Sequence, residues 1–89
     1  MIRIHYYAAA RAARGASEEE VEPGAEGITT LGDLLSELGE RHGSGRAGGL
    51  SLAEVFERCT FLLDGRAAEP ASDLEGRSRL DVMPPFAGG

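Results

Sequence analysis

One stretch of the chain carries the repeat of a buried helix. Leu31, Leu34, Leu35 and Leu38 recur at i, i+3, i+4 and i+7 and so form a single apolar stripe. Such a stripe has to be covered, and the segments near both ends of the chain repeat with a different period. Ile2, Ile4 and Tyr6 alternate with Arg3, His5 and Tyr7, while Leu80 and Val82 alternate with Arg79 and Asp81. Period two marks a half-buried strand. Strands on either side of one amphipathic helix predict an α+β protein, a mixed sheet gripping one main helix. With 89 residues there is enough chain for one core and too little for a second. The large apolar side chains are few, with three Phe, two Tyr and no Trp. A scaffold of this size retains only roughly 3–5 kcal/mol of folding stability. That argues against a multidomain enzyme or a large cofactor cavity.

Local signals place the remaining elements. Ala8 to Ala13 predicts a helical turn before Gly15. Glu18 to Glu22, containing Val21, predicts a charged edge strand closed by Pro23 and Gly24, with Glu18, Glu19 and Glu20 as a solvated face. Thr30 caps the main helix, with Asp33 three residues on. Arg41 and His42 suit its last turn, and Gly43 is its stop. Gly32 and Gly39 weaken this helix by roughly 1 kcal/mol each relative to Ala, so tertiary packing has to compensate. Residues 43–49 read as a surface loop. Ser51 with Glu54 forms a capping box that opens a short helix through about Arg58. Cys59 to Leu63 reads as an apolar strand, Asp64-Gly65 as a hairpin turn and Arg66 to Glu69 as the return strand. Asp73 to Gly76 is a turn before the final strand.

The charge pattern narrows the partners. Nine basic against fifteen acidic residues give a net charge of -6. All the basic residues are Arg, scattered among carboxylates, which is not a phosphate-binding surface. A basic partner surface fits better than nucleic acid. The absence of Lys removes Schiff-base chemistry, a P-loop lysine and an isopeptide acceptor side chain. The one cysteine, Cys59, cannot form an intrachain disulfide. No stretch has the length of a membrane span, and the opening residues lack the pattern of a secretory leader. The expectation is a cytoplasmic protein.

The end of the chain is the most informative segment. Pro84-Pro85 stiffens the exit from the last strand and removes two backbone donors. Phe86, Ala87, Gly88 and Gly89 follow. Residues 84–89 could reach roughly 20 Å when extended. Gly88 and Gly89 can thread a narrow channel and leave a terminal carboxylate sterically open. The plain alternative is an inert glycine tail.

These residues resemble the MoaD/ThiS family of ubiquitin-like sulfur carriers, and within it the small subunits of molybdopterin synthase. The anchors are Ile2 to Ala8, Arg11, Gly15, Thr30-Leu31 with Leu34, and above all Val82-Met83-Pro84-Pro85-Phe86-Ala87-Gly88-Gly89. The resemblance implies a β-grasp domain over residues 1–83 and a flexible tail over 84–89. It implies that Gly89 is adenylated and then converted to a thiocarboxylate, with Gly88 beside it. Pro84, Pro85, Phe86 and Ala87 would enter the partner's channel. Tyr7, Met83 and Ala67 match partner-contact positions, and Arg11 would pair with the activating enzyme. Tyr7 and Met83 could instead simply finish the sheet surface, and Arg11 could be a solvated cation. The implied partners are an E1-like adenylating enzyme using ATP and Mg²⁺, a sulfurtransferase as sulfur donor, and the large subunit of molybdopterin synthase. The chain itself would bind no cofactor, no metal, no nucleic acid and no membrane, and would not be catalytic alone. Two features depart from the family: Val82 and Met83 stand where aromatic residues are common, and the 43–49 loop has its own length and composition.

Other candidates are weaker. Residues 43–48 match G-x-G-x-x-G but follow a helix, whereas a phosphate cradle needs a strand before it. Cys59 with His5 and His42 lacks zinc spacing, so Cys59 reads as a small buried hydrophobe. His42 reads as a helix cap and His5 as outward-facing. Three rivals remain. One is a carrier serving thiamin thiazole, cysteine or a specialised metabolite. Another is a ubiquitin-like modifier that acylates a lysine. The third is a binding module with an inert tail.

Overall fold

The computed structural model describes residues 1–24 and 27–85. Its elements are β1 (Ile2–Tyr6), α1 (Ala8–Arg14), β2 (Glu18–Val21), α2 (Leu31–Arg41), α3 (Leu52–Phe56), β3 (Thr60–Leu63), β4 (Arg66–Ala68) and β5 (Arg79–Met83). The five strands form one sheet in the order β2-β1-β5-β3-β4. β1 and β5 pair in parallel, and the other neighbours are antiparallel. A parallel pair needs a long crossover, and the α2 region supplies it. This is the α+β β-grasp fold. The alternation read in β1 and β5 sends Ile2, Ile4, Tyr6, Leu80 and Val82 inward, where they meet Leu31, Leu34 and Leu38 of α2.

The start signals of the helices work as the sequence predicts. Thr30 and Asp33 form a reciprocal capping box on α2, and Ser51 and Glu54 form one on α3. The Asp64-Gly65 turn has both residues at positive φ, 50° and 82°, as a tight hairpin requires. The Asp64 carboxylate also accepts the backbone N–H groups of Ser78 and Arg79, at 3.1 and 2.9 Å, so the hairpin fixes the start of β5. The helical glycines sit where another segment touches α2. A Cβ on Gly39 would lie 3.2 Å from the Ala53 Cβ, and one on Gly32 would lie 3.2 Å from the Pro70 carbonyl oxygen. Close packing therefore offsets their low helix propensity.

Several boundaries and placements differ from the sequence reading. Ala8–Arg14 is a full short helix, closed by Gly15 at φ 87°. α2 ends at Arg41 with His42 as its C-cap, ahead of Gly43. α3 stops at Phe56 because Arg58 and Cys59 donate to Val55 and Phe56, a tighter i→i−3 turn that leads into β3. Cys59 precedes β3 and is half-buried. The 43–49 loop is seated against α1: a Cβ on Gly45 would collide with the Ala13 carbonyl oxygen.

The largest departure concerns Glu19, which is not part of a solvated face. Strand alternation puts it on the inner side with Val21, opposite Ile4. One of its oxygens takes hydrogen bonds from the Tyr6 hydroxyl and Arg14 Nε, the latter at 2.9 Å, and lies 2.9 Å from His42 Nε2. Burial alone would raise the Glu19 pKa. Hydrogen bonds from Arg14 and Tyr6, with the nearby positive charge, outweigh it and hold the carboxyl below its usual range. Burial and the same carboxylate push the Tyr6 phenol far up, so it stays a donor.

The sign of the linkage follows. A depressed carboxylate contributes stability that is present above its unfolded pKa of about 4.3 and is lost as pH falls through the lower folded value. Glu19→Gln should therefore be less stable than the parent at neutral pH, with the gap closing in acid. Urea unfolding from about pH 6 down to about pH 2 checks this. A gap that stayed constant across that range would contradict it.

Candidate functional site

The helices cover one face of the sheet and leave the other open. On β1 and β2 this open face is charged: Arg3 pairs with Glu18 and Glu20 at 3.1 and 3.4 Å, and His5 lies 4.0 Å from Glu18. On the β3 and β4 side it is less charged. Register puts Thr60 beside Met83, and Leu62 beside both Asp81 and Ala67. Met83 and Leu62 are half-buried and Ala67 is exposed.

Between the two halves sits a polar triad. The Tyr7 hydroxyl donates to Asp81 Oδ1 at 3.0 Å, and Arg79 Nη2 donates to that hydroxyl at 3.1 Å. Arg79 Nε also lies 3.1 Å from both Asp81 oxygens. Asp81 is 7% exposed, so the outer side of β5 is not simply solvated. Its charge is balanced by Arg79, and its oxygens are hydrogen-bonded, as burial requires. The chain turns sharply just after Tyr7, with Ala8 at φ 48°, a strained value for a residue with a Cβ.

The exit of β5 lies at the end of this face. Pro84 is buried and Pro85 is exposed. Both prolines line a hollow of about 220 Å³ with Ala9, Leu50, Val55 and Arg58. Arg11, also on α1, is exposed. Phe86, Ala87, Gly88 and Gly89, to which the sequence assigns channel entry and chemistry, lie outside the described residues.

The structure therefore brings Tyr7 and Met83 together at the end of the open face, while Ala67 lies two strands from Met83. Sequence reasoning missed Leu62, which lies between Ala67 on β4 and Asp81 on β5. In the run Thr60 to Leu63 every neighbour of Leu62 is apolar, so alternation gives no contrast. The signal was parity: Phe61 and Leu63 face the core opposite Val82 and Leu80.

The remaining chemical candidates carry little. Burial pushes the Cys59 thiol up to about 11, and its Sγ donates to the Val55 carbonyl at 3.2 Å, so it is a poor nucleophile at neutral pH. In the glycine-rich loop Arg46 Nη1 donates to the Gly43 and Gly45 carbonyls, both at 2.7 Å. Carbonyls converging on a cation are the reverse of a phosphate cradle. Among the described residues no three His, Cys, Asp or Glu side chains gather as metal ligands, and no helix is long and apolar enough to cross a membrane.

The five-stranded mixed sheet with its helices on one face defines a ubiquitin-like β-grasp protein. The profile of the ThiS family matches residues 4–89, and the chain belongs to that family. It is thus one of the ThiS-family sulfur carriers, which are activated by E1-like enzymes. No curated protein sequence matches the chain. Among solved structures, the crystal structure of SAMP1 from Haloferax volcanii is similar, with a TM-score of 0.69. It is 20% identical over 99% of this chain and 98% of that one, a likeness that shows the fold alone.

The triad yields a direct check. Tyr7→Phe deletes the hydrogen bond to Asp81 and the one the hydroxyl accepts from Arg79, but leaves the direct Arg79–Asp81 contacts. It should cost about 1 kcal/mol in denaturant unfolding and keep the fold. A loss well above that would show that Arg79 alone cannot hold the buried carboxylate.

Proposed function

We propose that this chain is the sulfur-carrying small subunit of molybdopterin synthase, with Gly89 as the residue that bears sulfur. The observation that carries this reading is the path of β5. It is the middle strand of the sheet and runs on into Pro84-Pro85 and then Gly88-Gly89. A tail rooted in the sheet centre is anchored at one end, and its last residues have no side chains to obstruct a channel.

The chemistry starts from a terminal carboxylate with a pKa of roughly 3.3–3.7, which is ionised and a poor electrophile at neutral pH. The E1-like enzyme, using ATP and Mg²⁺, joins this carboxylate to AMP and releases pyrophosphate. A sulfide-level sulfur from the sulfur donor then attacks the acyl carbon, AMP leaves, and a thiocarboxylate remains. In the large subunit's active site that sulfur passes to the cyclic pyranopterin precursor as one of the two dithiolene sulfurs, a second loaded chain supplies the other, and water returns each Gly89 to the carboxylate. Gly88 supplies slimness beside the reacting residue, and Pro84, Pro85, Phe86 and Ala87 span the channel.

The half of the open face holding Tyr7, Leu62, Ala67 and Met83 is the natural contact for the large subunit, since interfaces favour Tyr and Met at their centres. Arg11 is exposed for pairing with an acidic group of the activating enzyme. Carriers for thiamin thiazole, cysteine or a specialised metabolite share this tail chemistry and differ in the acceptor. A protein modifier would pass the acyl group to a lysine instead. A lysine-free chain offers no side-chain amine to another copy, so it would give single adducts.

The acceptor is the point to test. The thiocarboxylated chain, mixed with the large subunit and the pyranopterin precursor, should return to the carboxylate as dithiolene product forms. Sulfur that stays on the chain there but is released to a thiazole synthase would assign it to thiamin. Acylation of a lysine would assign it to the modifiers.

A further inference from the structure

A second depression lies on the helical side of the molecule and shares no lining residue with the hollow at the tail exit. It arises because the helix layer is too narrow for the sheet. α2 buries Leu31, Leu34 and Leu38 but leaves Leu35 half-buried. β4 is an edge strand of only three residues, and the inward-facing Phe61 and Ala68 are only partly covered. The result is an open groove of about 710 Å³ walled by Leu35, Phe56, Phe61 and Ala68. Phe56 and Phe61 meet edge-on, with ring centroids 5.9 Å apart.

The rim has a definite sign. Glu57 and Glu69 both line the groove and are exposed. Neither makes an ion pair among the described residues. The adjacent Arg58 lines the tail-exit hollow instead. An apolar trough between uncompensated carboxylates, on a chain of net charge -6, is complementary to an apolar anchor flanked by cations. A second copy of the chain carries the same net charge and is a poor match.

We propose that this groove docks a segment of a partner protein in which an aliphatic or aromatic side chain is flanked by Arg or Lys. The anchor would fill the trough between Leu35 and Phe61, and the cations would meet Glu57 and Glu69. The site is separate from the tail chemistry, so a partner held there could remain bound while the tail engages an enzyme.

The test uses the full chain, labelled with ¹⁵N, and two amidated peptides, Arg-Arg-Val-Leu-Phe-Arg-Arg and its counterpart with Glu in place of Arg. The basic peptide should shift the amides of Leu35, Phe56, Phe61 and Ala68 and their neighbours, and the acidic one should not. The Glu57→Arg/Glu69→Arg double variant, with a parent-like spectrum, should bind the basic peptide roughly tenfold more weakly or worse. Deletion of Gly88-Gly89 should leave binding unchanged, which separates this proposal from the reading of the tail. The proposal is overturned by absent shifts or equal binding of both peptides. Shifts on the open sheet face, or self-association through the groove, overturn it equally.

Discussion

The parallel pairing of β1 with β5 is the constraint on which the rest of the molecule depends. It joins residues more than seventy positions apart and puts the last strand in the middle of the sheet. Once β5 is central, the crossover between its neighbours has to pass over one face, and the α2 stripe is what covers that face. The exit of β5 is then braced by β1 on one side and β3 on the other. A chain leaving there is anchored by two ladders of hydrogen bonds. Edge strands fray more easily, so a working C-terminus gains by being rooted at the centre.

Polar side chains complete the arrangement. Glu19 gathers Tyr6, Arg14 and His42, which belong to β1, to α1 and to the end of α2. Asp81 gathers Tyr7 and Arg79 on the opposite face. Among the described residues no buried side-chain nitrogen or oxygen lacks a partner. In a body with so few large apolar residues, these satisfied networks fix how the short elements meet.

Much of this was legible in the sequence. The strands at Ile2–Tyr6 and Arg79–Met83, the capped Leu stripe and the Asp64-Gly65 hairpin follow from periodicity and local chemistry. Those signals require no knowledge of distant residues. What stayed hidden depends on tertiary contact. Three consecutive Glu residues look solvated until the pairing of Glu19 with Ile4 turns one of them inward. Leu62 is lost in an apolar run because parity only matters once β5 is its neighbour. The Gly45 loop looks free until α1 is seen beneath it. Of the candidate site, Tyr7 and Met83 lie near the last described residues of β5, and the assignment of the tail rests on its sequence pattern alone.

The central claim is that Gly89 carries sulfur. Its most direct measurement is the intact mass of the chain after incubation with ATP, Mg²⁺, an active E1-like enzyme and a sulfur donor, alongside a variant lacking Gly88-Gly89. The account predicts a gain equal to replacing one oxygen by sulfur, in the intact chain alone. No gain, with an activating enzyme proven active on its own carrier, would contradict it and leave the tail an inert extension of a binding module.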